Sequence, residues 1–252
     1  MSININIKTE AELTGSTVPS VVFHTRQGDA WVDVSTDDLF KGKKVVVFSL
    51  PGAFTPTCSS THLPRYNELA KEFFARGVDS ILCVSVNDTF VMNAWLADQE
   101  AENITVVPDG NGDFTRGMGM LVSKEGLGFG DRSWRYSMLV KDGVVEKAFV
   151  EPVKDGDPFE VSDADTMIKY IDPNWKDQDS ITLFTKPGCP FCAKAKQALH
   201  DKGLVYEEIV LGRDATTTSV RAITGKTSTP QIFIGGQYIG GSDDLEVYLA
   251  KN

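Results

Sequence analysis

Two short apolar runs, residues 45–50 and 80–86, constrain the fold more than any other feature of the chain. Each is short for a helix, rich in β-branched residues and free of polar alternation, so each reads as a strand covered on both faces. Such strands need a layer above and a layer below, and the intervening sequence supplies them. Across residues 64–76, Tyr66, Leu69, Ala70, Phe73 and Phe74 recur at helical spacing as a core-facing stripe, and Gly77 ends the segment. Residues 90–99 form a second amphipathic helix, and residues 105–109 a third short strand. The start of the chain reads as a hairpin around Gly28-Asp29. Residues 135–140 and 144–150 form another around Asp142-Gly143. Residues 162–171 are expected to be a helix capped by Ser162 and Asp165.

Residues 172–180, DPNWKDQDS, are polar with one Trp and one Pro, and read as a linker. Strand and helix then alternate again: a strand over 181–184, a helix after Pro190, a strand over 205–210, a helix around Val220, a hairpin over 231–239 and a helix from Ser242. The expectation is two consecutive α/β domains, residues 1–171 and 181–252, joined by 172–180. The net charge of −10 is uneven, about −11 up to residue 180 and +1 beyond it. That balance argues against nucleic acid as a partner, since phosphate binding needs a basic face. No apolar run approaches a membrane span, and the first residues show no signal peptide. Four cysteines are too few for a disulfide scaffold, so the expected location is cytoplasmic. The eight acidic residues between 152 and 180 read as a solvated linker region.

Cysteine placement carries the chemistry. Residues 184–192, FTKPGCPFC, put Cys189 and Cys192 at a strand-to-helix junction. A helix N-terminus offers free N–H groups and partial positive charge, which favour a thiolate on Cys189; Cys192 lies one turn on, within disulfide reach. Lys186 adds a cation. Half a zinc site is the competing reading, but no second Cys/His pair follows, so no metal is expected. Cys58 is similarly placed, in PGAFTPTC after the strand 45–50, with Thr55 three residues earlier. Arg132 and Arg135 stand at the entrance of a strand that can lie beside it. Cys83 is embedded in an apolar strand and reads as inert core. His62, four residues after Cys58, reads as part of a structural helix turn in preference to a metal ligand or base; His24 and His200 have no evident partner.

The run TKPGCPFC, the Thr229-Pro230 pair before a strand and the GGSDD turn resemble a dithiol glutaredoxin over 181–252. The frame Pro51-x-x-x-Thr55-x-x-Cys58, with THLP, SVND and RYSMLVKDG, resembles the atypical peroxiredoxins over about residues 1–170. Together they imply two thioredoxin-fold domains in tandem. The first resemblance implies Cys189 as nucleophile, Cys192 as its partner and a cis Pro230. It also implies a glutathione groove of Lys186, Phe191, Thr229, Pro230, Gly241, Ser242 and Asp243, with Thr229 and Ser242 departing from the commoner Val and Cys. The second implies Cys58 as the thiol attacking peroxide, Thr55 and Arg135 as its partners, with Arg132 placed second, and Pro51 as a shield from water. The stretch EPVKDGDPFEVSDAD lacks the resolving cysteine that many atypical peroxiredoxins carry there. The resemblance therefore implies a peroxidase for hydrogen peroxide and alkyl hydroperoxides that uses glutathione as reducing co-substrate through Cys189. It further implies no permanently bound cofactor, an indirect link to glutathione reductase, and homo-oligomers formed through the peroxiredoxin half.

Overall fold

The computed structural model describes residues 7–154, 156–177 and 180–251, and the chain divides into two compact units between Trp175 and Lys176. The first unit begins α1 (Glu10–Leu13), β1 (Val22–Gln27), β2 (Ala30–Ser35), α2 (Thr36–Phe40), β3 (Lys44–Ser49), a π-helical turn (Cys58–His62), α3 (Leu63–Glu68), α4 (Ala70–Ala75) and β4 (Ser80–Ser85). It continues α5 (Thr89–Asp98), β5 (Thr105–Pro108), α6 (Asp113–Met118), β6 (Leu121–Ser123), a 3₁₀ turn (Glu125–Leu127), β7 (Asp131–Ser133), β8 (Tyr136–Lys141), β9 (Val144–Val150) and α7 (Ala164–Ile171). The second unit is β10 (Ile181–Thr185), α8 (Pro190–Asp201), β11 (Glu207–Val210), α9 (Thr217–Thr224), β12 (Gln231–Ile234), β13 (Gln237–Gly240) and α10 (Ser242–Lys251).

The main sheet of the first unit has the order β5-β4-β3-β8-β9, parallel among β3, β4 and β5 and antiparallel at β8 and β9. β3 is its middle strand, which explains the unbroken apolar run. Val46 and Phe48 enter one core with Leu63, Tyr66, Phe73, Trp95 and Met167. Val45 and Val47 point the other way, into a second core with Leu13, Phe40, Phe114 and Met138. Phe48 stacks on Tyr66 with ring centroids 4.3 Å apart; burying a ring of this size is worth roughly 2–3 kcal/mol.

Several local expectations are corrected. The helix expected over 64–76 breaks at Leu69 (φ −83°, ψ 3°), which separates α3 from α4. Phe73 is fully buried but Phe74 is 38% exposed, because adjacent helical residues point about 100° apart and only one can face the core. The cap of α7 is Asp163, which accepts from Thr166 N–H at 2.8 Å. Ser162 instead donates its hydroxyl to Glu151 at 2.7 Å, and Asp165 pairs with Arg65. The linker expected from 172 starts later: Asp172 pairs with Arg76 at 3.0 Å and Trp175 is buried in the first core, while residues 178–179 lie outside the described residues. The acidic stretch is accordingly more than a solvated linker, since Asp157, Asp165 and Asp172 each hold an arginine of the first unit.

In the second unit the sheet order is β11-β10-β12-β13, parallel between β10 and β11 and antiparallel elsewhere. Its core gathers Ile181, Leu183, Leu199, Ile232, Ile234, Leu245 and Leu249. Val205, expected to open β11, is exposed, and the strand begins at Glu207. Among the described residues no helix is long and apolar enough to cross a membrane.

Candidate active site

β3 leads through Leu50 into the loop that carries Cys58. Pro51 is buried at its start. Thr55 Oγ1 donates to Gly52 O at 2.8 Å, while Asn87 Oδ1 accepts from Ala53 N–H at 3.1 Å and from Ser85 Oγ at 2.7 Å. Phe54 sits at φ +61°, a left-handed conformation that costs a non-glycine residue about 1 kcal/mol or more and is held here by those bonds. Ser59 N–H then donates to Thr55 O at 3.0 Å as the helix starts. Cys58 therefore lies in the first turn, fully buried, where the helix widens into the π-helical turn. Such widened turns recur at functional sites.

Arg135 immediately precedes β8, whose Tyr136 pairs with Ser49 at the end of β3. That register brings the guanidinium to the sheet edge from which the Cys58 loop departs. Its side chain is 1% exposed. Nη2 donates to both oxygens of Asp157 (2.7 and 2.5 Å), Nη1 lies 2.9 Å from His62 Nδ1, and Nε has no partner among the described residues. Burial opposes its charge, but the neighbouring Cys58 and Asp157 outweigh burial and raise its pKa. Arg132 instead donates to Val86 O at 2.6 Å.

A guanidinium only donates, so His62 Nδ1 is the acceptor and its proton lies on Nε2, 3.2 Å from Ser162 O. Burial, followed by the charge of Arg135, holds the imidazole pKa well below its ordinary value, so the ring is neutral. Ser162 is fixed in turn by Glu151. Its Oε1 accepts from Val161 N–H, Ser162 N–H and Ser162 Oγ at 2.7–2.9 Å, and its Oε2 accepts from Glu160 N–H at 2.8 Å. The chain Glu151–Ser162–His62–Arg135 thus orients the cation beside Cys58. His62, expected from the sequence to be part of a structural helix turn, also joins the site, as its four-residue spacing from Cys58 allows; Asp157 and Glu151 join it without any local signal in the sequence. Cys83 is fully buried in β4, and burial followed by Cys58 holds its thiol well above the usual range.

The second unit forms its own thiol site. Cys189 is the N-cap of α8, and its Sγ accepts from Cys192 N–H at 3.2 Å. Thr229 Oγ1 lies 3.6 Å from the same sulfur, and the Thr229–Pro230 peptide is cis. Burial raises the Cys189 pKa, but hydrogen bonds from Cys192, Thr229 and the backbone N–H groups of Cys192 and Phe191 outweigh it and lower the value overall. Burial, followed by the bond to Cys189, raises that of Cys192. One thiol is thereby a nucleophile and the other a proton-bearing partner. Gly241 adjoins Pro230 O, whereas Phe191 projects into solvent and Asp243 pairs with Lys194 at 3.0 Å. Lys186 and both cysteines line a shared cavity with Lys196 and Glu208, and Ser242 is buried at the start of α10.

The Redoxin family matches residues 13–168 and the Glutaredoxin family residues 181–239. The chain is 70% identical over 240 residues to the hybrid peroxiredoxin hyPrx5 of Haemophilus influenzae, covering 95% of this chain and all of that one. It is 58% identical over 172 residues to peroxiredoxin sll1621 of Synechocystis, covering 63% of this chain and 91% of that one. Among solved structures, reduced Prx3 of Vibrio vulnificus in complex with H₂O₂ superposes with a TM-score of 0.59 at 44% identity, over 63% of this chain and 98% of that one. Two thioredoxin-fold domains stand in tandem, and the chain belongs to the hybrid peroxiredoxins, a redoxin domain followed by a glutaredoxin domain.

Proposed function

We propose that this peroxide-reducing peroxiredoxin is glutathione-dependent and completes its cycle through its own glutaredoxin domain. One observation carries the reading. The thiol beside Arg135 has no usable thiol partner in its own unit, where the other cysteine is buried Cys83, while the second unit holds a low-pKa thiol at a helix N-terminus. The Cys58 thiolate attacks the terminal oxygen of a hydroperoxide; the S–O bond forms, the O–O bond breaks, and the departing oxygen takes a proton to leave as water or alcohol. Arg135 Nε is the donor suited to the developing charge, and Thr55 Oγ1, its own proton given to Gly52 O, is an acceptor suited to the hydroperoxide O–H. Pro51 limits water at the loop. The sulfenic acid condenses with glutathione, releasing water and leaving a mixed disulfide. Cys189 attacks the glutathione sulfur and returns Cys58 as a thiol. A second glutathione then frees Cys189 as oxidised glutathione forms, which NADPH and glutathione reductase recycle. Lys186, Phe191, Thr229, Pro230, Gly241, Ser242 and Asp243 are the proposed glutathione contacts.

The test is glutathione-dependent peroxide consumption coupled to NADPH through glutathione reductase. Wild type is expected to turn over, and Cys58→Ser and Cys189→Ser each to abolish turnover. Full activity in Cys189→Ser would remove the second unit from the cycle.

A further inference from the structure

The cavity beside Thr55 is far larger than hydrogen peroxide requires. Its volume is about 670 Å³, within the range that holds a drug-sized organic ligand, against the roughly 30 Å³ that a water molecule occupies in the liquid. Pro51, Thr55 and Pro56, from the loop that carries Cys58, form one wall. The opposite wall comes from the β6–β7 hairpin, whose Leu127 and Phe129 are 66% and 40% exposed. Bulky apolar side chains left open at the mouth of a reactive site mark a surface for an apolar ligand.

The charges of this wall narrow the ligand further. Asp157 also lines the cavity, but both its carboxylate oxygens are engaged by Arg135. Lys124 is the other ionic residue of the lining. Among the described residues its ammonium lies 4.9 Å from the Trp134 ring centroid and pairs with no carboxylate. The lining thus combines an apolar hairpin, a neutralised acid and a cation that pairs with no carboxylate among the described residues, beside the loop that carries Cys58.

We infer that the cavity selects apolar organic hydroperoxides bearing a carboxylate, the apolar part lying on Leu127 and Phe129 and the carboxylate meeting Lys124. The inference rests on the peroxidase reading of Cys58 and adds no new chemistry: the hydroperoxide is reduced to its alcohol as written above.

The experiment compares cumene hydroperoxide with its para-carboxylate, which share one apolar body and differ in the anion. The second-order rate of Cys58 oxidation is followed for the whole chain, each value divided by that of the same variant with hydrogen peroxide. The carboxylate is expected to react about two- to fivefold faster than the neutral compound at low salt, the size of a partly exposed ion pair. Raising the salt concentration should erode that ratio. Lys124→Met should bring it to about one, Lys124→Arg should preserve it, and Leu127→Ser should slow both organic peroxides relative to hydrogen peroxide. Equal rates for the two compounds in wild type, or a preference that survives Lys124→Met, overturn the inference while leaving the peroxidase reading intact. If no hydroperoxide oxidises Cys58, both fall together.

Discussion

His62→Leu removes the acceptor 2.9 Å from Arg135 Nη1 and leaves a donor of a buried cation unpaired. Losing a hydrogen bond to a charged group costs about 1.5–3 kcal/mol. With a urea slope of about 2 kcal/mol per molar, the unfolding midpoint should fall by roughly 1 M. His62→Gln, which can still accept from Arg135 and donate to Ser162 O, should lose less. The pH dependence separates a structural role from an ionic one. The native imidazole has a lowered pKa, so below the unfolded value of about 6.5 the unfolded chain binds the additional proton. Stability from this group is complete above pH 6.5 and is lost as the pH falls below it, at a slope of at most about 1.4 kcal/mol per unit. That loss should be present in wild type and absent from both variants. All four tryptophans, Trp31, Trp95, Trp134 and Trp175, lie in the first unit, so their fluorescence follows its unfolding without a signal from the second. Cys58 oxidation should slow at least tenfold in His62→Leu and recover in His62→Gln. Parallel loss of stability in wild type and His62→Gln on going to pH 5 would refute a buried neutral imidazole at this position.

Glu151→Gln can satisfy the three donors on Oε1 but turns its amide N–H groups toward Glu160 N–H, so the first unit should lose about 2–3 kcal/mol in the same fluorescence measurement. Brief alkylation with iodoacetamide near pH 7, read by mass spectrometry, should label Cys189 well before Cys192, because the first pKa is lowered and the second raised. Cys192→Ser should retain glutathione-dependent turnover, since the cycle needs one thiol in the second unit; complete loss of turnover would require a disulfide step between Cys189 and Cys192.

What could be read from the chain follows the range of the interactions involved. The β3 run was legible because a middle strand must be apolar on both faces, and Val45 to Phe48 meet that demand alternately. The continuity of the following helix was not legible, since Leu69 interrupts it, and of the adjacent pair Phe73 and Phe74 only the first can face the core. Trp175 misled in the same way. Its neighbours are polar enough for a linker, yet the buried indole and the Asp172–Arg76 pair hold residues 172–175 to the first unit.

The two thiol sites differ for that same reason. Cys189 is served within its own helix turn by the Cys192 side chain and by the N–H groups of Cys192 and Phe191, so a nine-residue segment already shows much of its chemistry. Only Thr229 comes from afar, through the turn before β12. Cys58 depends on side chains drawn from four separate parts of the chain. Asn87 shapes its loop, Arg135 supplies the cation, His62 and Asp157 aim that cation, and Glu151 holds the segment on which His62 rests. Proximity of the arginine to the thiol could be argued from strand pairing, because an antiparallel neighbour of β3 must begin where β3 ends. Nothing comparable singles out one acid from the eight between residues 152 and 180. A peroxide site assembled this way has its reactivity set by residues that never touch the peroxide. Variants of His62, Asp157 and Glu151 should therefore alter the Cys58 rate through the orientation of Arg135, leaving alkylation of Cys189 at its wild-type rate.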